Sequence, residues 1–397
     1  MDNIKKFEFV SKELFNAIRI IFKDNLYASK AIKFSLKANR AWDNETRGFF
    51  SDNVYNITRY WKILWYLIKK EPSYNDDDLA QLLNAYLFFI GEKIQKNEEF
   101  VKRLSSAKKI RAIKESIPDW LDIIGQKELG KRWNQVIRAL NQKPSLIFRV
   151  NTLKITRDEL INTLKNEGVY AEKIESIANA LLIKNKTNFY LLESFKEGFF
   201  EVQDIASQMV SIFLSPEPGM LVIDACAGEG SKTLHIAALM KNRGRIIAMD
   251  IQEWRLKELK RRAKRSGAFN IETRQIISSK SYKRLKGKAD RLLLDVPCSG
   301  LGTLKRNPDV KWKISLSDIE RLKKIQKELL EKYCNLLKQG GRFVYSTCSV
   351  LPSEGEEQIK DFLAKQNNKF ELIKEKRYWP DQDDADGFYM ALLERKQ

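Results

Sequence analysis

The chain has 397 residues, 43% hydrophobic and 31% charged, a globular composition too long for one ordinary core. Lys plus Arg is 72 against 52 for Asp plus Glu, and the net charge of +20 points to a polyanionic partner, most simply nucleic acid. A single histidine, His235, and the lack of any CxxC pair argue against triad chemistry and a zinc site, and no apolar run of about 18 residues is present to span a membrane.

Residues 1–125 read as helical. Phe50, Val54, Ile57, Trp61, Leu64 and Leu67 fall on one stripe, and Leu79, Leu82, Leu83, Tyr86 and Phe89 form a second between Asp76 and Glu92. Basic and aromatic residues interleave at Arg59, Tyr60, Trp61 and Lys62, as on an RNA-facing surface or over an aromatic core. Lys102–Arg138 is charged and helical in pattern with a break at Pro118, and residues 126–142 read as a connector between domains. Residues 143–200 read as a small α+β module. It has strands at Phe148–Thr152 and Ala180–Ile183 and a capping box, Thr156 with Glu159, opening a helix that Gly168 ends.

From residue 201 to 397 strand and helix alternate, which predicts a doubly wound, mostly parallel α/β sheet. A helix over Asp204–Leu214 precedes a strand at Met220–Asp224. That strand runs into the turn Ala225-Cys226-Ala227-Gly228-Glu229-Gly230-Ser231-Lys232. The next strand, Arg245–Asp250, ends in a carboxylate and leads to a basic helix over Lys257–Ser266. A glycine-rich strand-to-helix turn with an acidic residue at the next strand end suits an adenosine-type cofactor. Two further apolar runs, ending at Cys298 and Cys348, flank a helical segment from Asp318 to Gln339. A right-handed parallel unit places both thiols at the carboxyl edge of one sheet, where such sheets bind ligands. Cys334 lies with Leu330, Tyr333 and Leu337 on a core-facing helical stripe, and Cys226 and His235 read as packing residues.

The run Asp295-Val296-Pro297-Cys298-Ser299-Gly300-Leu301-Gly302-Thr303, continuing through Arg306 and Lys311 to Trp312, resembles the signature of the NOL1/NOP2/Sun family of RNA cytosine-5 methyltransferases. Tyr345-Ser346-Thr347-Cys348-Ser349-Val350-Leu351-Pro352 with Glu356 beyond, Val202-Gln203-Asp204, and Asp386-Gly387-Phe388-Tyr389-Met390 carry the same resemblance. It covers residues 143–397 and is nearest to the bacterial Sun/Fmu type that acts on small-subunit ribosomal RNA. Arg47, Val54-Tyr55 and Arg59 extend it to that type's NusB-like helical domain. The implied fold is a Rossmann-like methyltransferase domain preceded by an α+β RNA-binding module and a helical RNA-binding domain.

The resemblance assigns attack on cytosine C6 to Cys348 and product release to Cys298, with Asp295 on the cytosine edge; a reactive thiol needs a cationic neighbour, for which Lys232 is the candidate. It implies S-adenosylmethionine held by residues 226–232 (Cys226, Ala227, Gly228, Glu229, Gly230, Ser231, Lys232), Asp250 and Asp295. Arg149, Arg306 and Lys311 are expected at phosphates of the RNA, most simply 16S rRNA, in a cytoplasmic monomer without metal. Three positions depart from the pattern. Gly228–Ser231 stand for the usual Ala-Pro-Gly-Gly, Ile276–Ser279 lack an acidic residue after the third strand, and Gly355 replaces an asparagine. A non-catalytic RNA-binding or ribosome-assembly factor, a tRNA enzyme and a DNA cytosine methyltransferase are the alternatives. The Thr-Cys thiol and the module at 143–200 argue against the last.

Overall fold

The computed structural model describes residues 3–92 and 97–396. It divides into two units: Met1–Lys143 with the later segment Thr303–Leu316, and Pro144–Gly302 with Ser317–Gln397.

The first unit is helical, opening with helices Asn3–Phe22, Ala28–Ala38, Asn44–Arg59, Trp61–Ile68 and Asp76–Phe89. Phe7, Val10, Leu14, Ile18 and Ile21 recur at three- and four-residue spacing on the first helix and are all buried. The stripe from Phe50 to Leu67 is buried throughout, but it belongs to two helices that meet at Tyr60. Ser116 Oγ accepts from the Lys62 N–H at 2.9 Å and the Ile63 N–H at 3.3 Å, supplying a cap that the local sequence lacks. Pro118 precedes helix Asp119–Leu129, as expected from its fixed φ. Residues 126–142 are not a connector. Helix Trp133–Leu140 buries Trp133, Val136, Ile137 and Leu140, and a Cβ on Gly125 would meet the Trp133 ring at 2.3 Å.

The segment Thr303–Leu316 packs into this unit rather than lying open to RNA. The Arg59 guanidinium, itself buried, donates to the Leu304 carbonyl at 3.1 Å and the Lys305 carbonyl at 2.8 Å. Lys311 Nζ donates to the Arg59 carbonyl at 2.9 Å and Asn141 Oδ1 at 3.3 Å, and Trp312 Nε1 to the Thr58 carbonyl at 2.8 Å. Lys311 is 1% exposed, and burial pulls its ammonium well below the usual lysine range. This corrects the expectation that Lys311 contacts phosphate. Arg306 is half-buried.

The second unit holds two sheets. In the smaller, strands β1 (Leu146–Val150), β2 (Ala171–Lys173), β3 (Ala180–Ile183) and β4 (Phe200–Val202) run in the order β2-β3-β1-β4, all antiparallel. The expected boundary at residue 200 cuts β4, which pairs with β1 and so belongs to this sheet. The predicted capping box at Thr156 and Glu159 is present and starts helix Arg157–Asn166.

The larger sheet comprises β5 (Leu221–Asp224), β6 (Arg245–Asp250), β7 (Ile271–Gln275), β8 (Ala289–Asp295), β9 (Leu337–Thr347), β10 (Phe370–Tyr378) and β11 (Phe388–Arg395). Their order is β7-β6-β5-β8-β9-β11-β10, with β11 antiparallel to both neighbours and the other pairs parallel. The middle strands are apolar on both faces because helices cover both. Along β8, Leu293 enters one core while Leu292 and Leu294 enter the other. The helix expected to reach Gln339 ends at Tyr333, and Leu337 opens β9 instead; Cys334 is buried, as expected.

Candidate active site

The chain order reverses between β5 and β8, the topological switch point where open α/β sheets form a crevice beyond the strand ends. The ends of β5, β6, β8 and β9 supply chemistry there. β8 and β9 are paired with Asp295 opposite Ser346, so the turns after them start level. Cys298 and Cys348 lie in those turns, with their sulfurs 3.3 Å apart. The backbone fixes this approach: the Gly302 N–H donates to the Cys348 carbonyl at 2.9 Å, and the Gly387 N–H to the Gly302 carbonyl at 2.8 Å. Only glycine fits at 302, where a Cβ would stand 1.9 Å from the Gly387 carbonyl oxygen.

Asp295 ends β8 with both carboxylate oxygens engaged. Lys232 Nζ donates to Oδ2 at 2.6 Å and the Ser346 hydroxyl to Oδ1 at 2.8 Å. Burial pulls the Lys232 ammonium down, but the Asp295 carboxylate outweighs it and holds the group above its usual value; the Cys348 side acts in the same direction. Lys232 is therefore a fixed cation whose field reaches both Asp295 and Cys348. The Cys298 thiol is pushed well up, first by its hydrogen bond with Cys348 and then by burial. Such an arrangement keeps a proton on Cys298, and it sets the Lys232 cation on the Cys348 side of the pair.

The turn after β5 forms the other half of the crevice. Gly228 and Gly230 have φ of +53° and +86°, a conformation glycine adopts without cost. A Cβ on Gly230 would meet Leu259 at 2.5 Å, whereas the space beside Gly228 is open. Asp250, ending β6, accepts from the Gly228 N–H at 2.9 Å and the Gln252 N–H at 2.8 Å. Each of its oxygens retains a lone pair for a further donor such as a ribose hydroxyl. Beyond β7 the expected carboxylate is absent, and exposed Ile251 and Ile277 stand at this end of the sheet. Their chemistry suits the flat apolar face of an adenine. An open glycine, a strand-end carboxylate and apolar flanks together fit S-adenosylmethionine. Burial pushes the Cys226 thiol well up and pulls His235 well down, as packing residues behave.

Several supports of this turn escaped sequence reading. Arg149 is 2% exposed; it donates to Gln203 Oε1 at 2.6 Å and to the Ser231 carbonyl at 2.7 Å, and burial lowers it to about 10. It braces the glycine turn and is removed from the expected phosphate contacts. Arg262 donates to the Glu229 carbonyl at 2.9 Å, Ser231 Oγ at 3.1 Å and Glu201 at 2.8 Å. Ser231, one of the departures from the family pattern, thus has its own partner on the following helix, Glu253–Ser266. The basic residues of that helix were the available signal, but not which of them turned inward. Among the described residues no cluster of three or more His, Cys, Asp or Glu is placed to hold a metal, and no helix is long and apolar enough to cross a membrane.

A seven-stranded sheet in this order, with a glycine turn after β5, defines a class I methyltransferase fold. Residues 211–394 match the family model described as 16S rRNA methyltransferase RsmB/F, and residues 117–190 match the RsmF/B-like ferredoxin-like domain. The chain is 37% identical over 289 residues to the probable ribosomal RNA small subunit methyltransferase B of Synechocystis sp., covering 72% of this chain and 64% of that relative. It is 33% identical over 324 residues to the ribosomal RNA small subunit methyltransferase B of Vibrio vulnificus, covering 79% and 74%. The crystal structure of PH0851 superposes with a TM-score of 0.79 at 27% identity, covering 96% of this chain and 97% of that one. The chain belongs to the RsmB/F family of 16S rRNA methyltransferases.

Proposed function

We propose that the chain transfers a methyl group from S-adenosylmethionine to C5 of a cytosine in 16S rRNA, through a covalent bond between Cys348 and C6. The observation that carries this reading is the pair of thiols 3.3 Å apart at the ends of adjacent strands, beside the Lys232–Asp295 ion pair. The names of the matched relatives support rRNA as the substrate.

C5 of cytosine is a weak nucleophile until a group adds at C6. The Cys348 thiolate forms the S–C6 bond, and the electron pair of the 5,6 double bond becomes available at C5. S-adenosylmethionine, when bound by the glycine turn and Asp250, supplies an electrophilic methyl carbon. Asp295, held by Lys232 and Ser346, keeps lone pairs for the exocyclic amine and so fixes the ring edge-on. After transfer the C5 proton leaves to solvent and the S–C6 bond breaks, restoring the double bond. Cys298, protonated and in contact with the Cys348 sulfur, donates to that sulfur as it departs. A base inside a duplex is out of reach of two buried turns, so the target is single-stranded or flipped out.

The test is the division of labour between the thiols. Cys298→Ala is expected to attack and transfer methyl but to accumulate a protein–RNA adduct that survives a denaturing gel. Cys348→Ala and the double variant are expected to form none. An adduct from Cys348→Ala but not Cys298→Ala reverses the roles, and no adduct from any variant refutes the covalent mechanism.

A further inference from the structure

Glu354 lies in the short 3-10 turn Pro352–Glu354 and is fully buried. A carboxylate removed from water is tolerated only where donors replace its hydration. Three neutral donors do so here. The Ser299 N–H reaches Oε1 at 2.8 Å, Gln326 Nε2 reaches the same oxygen at 3.0 Å, and the Ser299 hydroxyl donates to Oε2. These donors belong to the thiol turns or grip them. Ser299 follows Cys298, and Gln326 Nε2 also donates to the carbonyl of Pro297, which precedes Cys298, at 3.0 Å. Ser299 Oγ in turn lies 3.2 Å from Ser349 Oγ, on the residue that follows Cys348. The Glu354 carbonyl accepts from the Tyr345 hydroxyl of β9 at 2.8 Å, so the turn carrying the carboxylate is tied to the strand carrying Cys348.

We propose that Glu354 is a positioning residue for both thiols, holding the Cys298 and Cys348 turns at the separation the two-thiol reaction needs. This rests on the reading of the two cysteines as the reacting pair. The anion has a second effect. After the hydrogen bond to Cys348 and burial, the charge of Glu354 adds to the forces that keep Cys298 protonated. Geometry and charge thus act together, one setting where the sulfurs stand and the other which of them carries the proton.

Two variants separate the effects in the full-length chain without RNA. Glu354→Gln keeps an acceptor for the Ser299 N–H and Gln326 and removes the charge, with the Ser299 hydroxyl turned to accept from the new amide. The rate of Cys298 alkylation by iodoacetamide, followed by peptide-resolved mass spectrometry, is expected to shift to lower pH by about one unit, as on removal of a neighbouring like charge. Glu354→Ala removes the anchor. Cys298–Cys348 disulfide formation with oxidised glutathione, in which two thiols become one disulfide and two glutathione thiols are released, is expected to slow by about ten-fold or more as the sulfurs lose their alignment. An unmoved Cys298 profile in Glu354→Gln overturns the charge effect. Undiminished disulfide formation in Glu354→Ala overturns the positioning role. Neither measurement uses RNA, so its failure is distinct from failure of the methyl-transfer mechanism.

Discussion

Replacing Asp224 by asparagine should make the catalytic sheet lose less stability as pH rises toward neutrality. Asp224 closes β5 and is 1% exposed. The Thr233 hydroxyl donates to Oδ2 at 2.7 Å. Burial raises this carboxyl from the ordinary 3.8 to about 7, against the opposing pull of Thr233. The folded protein therefore keeps the proton up to about pH 7, while the unfolded chain releases it near pH 4. Between those values the unfolded state binds fewer protons, so stability falls as pH rises, and the fall ends once the folded carboxyl has ionised. The slope is about 1.4 kcal/mol per pH unit, which makes the full effect on the order of 4 kcal/mol. An amide cannot ionise, so Asp224→Asn lacks this loss. Peptide-resolved hydrogen exchange across β5, corrected for the intrinsic pH dependence of exchange, isolates the opening of this sheet from that of the helical unit. Opening free energies that run parallel in the two proteins across this pH range would refute the argument.

Asp250→Ala should weaken S-adenosylmethionine binding by about ten-fold in calorimetry, the loss of a charged hydrogen-bond acceptor; unchanged affinity removes Asp250 from the ribose. Gly302→Ala must displace the Gly387 carbonyl, and a stability loss of about 3 kcal/mol is expected in urea unfolding; a neutral effect means the two thiol turns are not pinned there. With a net charge of +20, RNA affinity should fall with salt at a log–log slope of several units. A flat response in a filter-binding series counts against a phosphate-dominated interface.

The thiol pair was legible because its signals are local: two apolar runs of strand length, each followed by a turn with a cysteine, and a helix between them to make the connection parallel. Asp250 was legible for the same reason. Arg149, Lys311 and Glu354 were not, because a charged side chain gives no local sign of facing inward. Arg149 looks like any basic residue on a short strand until Gln203 and the Ser231 carbonyl stand beside it. Lys311 sits in a stretch rich in Lys and Arg, and only Asn141 and the Arg59 carbonyl, distant in sequence, show that it is enclosed. Residues 126–142 misled through their charge, since the four apolar residues that bury helix Trp133–Leu140 are diluted by Lys, Arg and Gln. Leu337 kept helical spacing with Leu330 and Tyr333 yet starts a strand, a boundary that spacing cannot locate.

The capture of Thr303–Leu316 by the helical unit has a consequence for the order in which the molecule is made. A chain leaves the ribosome amino end first, so residues 1–143 emerge long before the segment that completes them. Until Leu316 has emerged, the Arg59 guanidinium lacks the Leu304 and Lys305 carbonyls, and the first core lacks Trp312. This helical unit is thus finished late, after β5, the glycine turn and β8 are already present. Contacts closed over so long a stretch form slowly. The helical unit therefore reaches its final packing only with a chain that already carries Asp295 and Cys298.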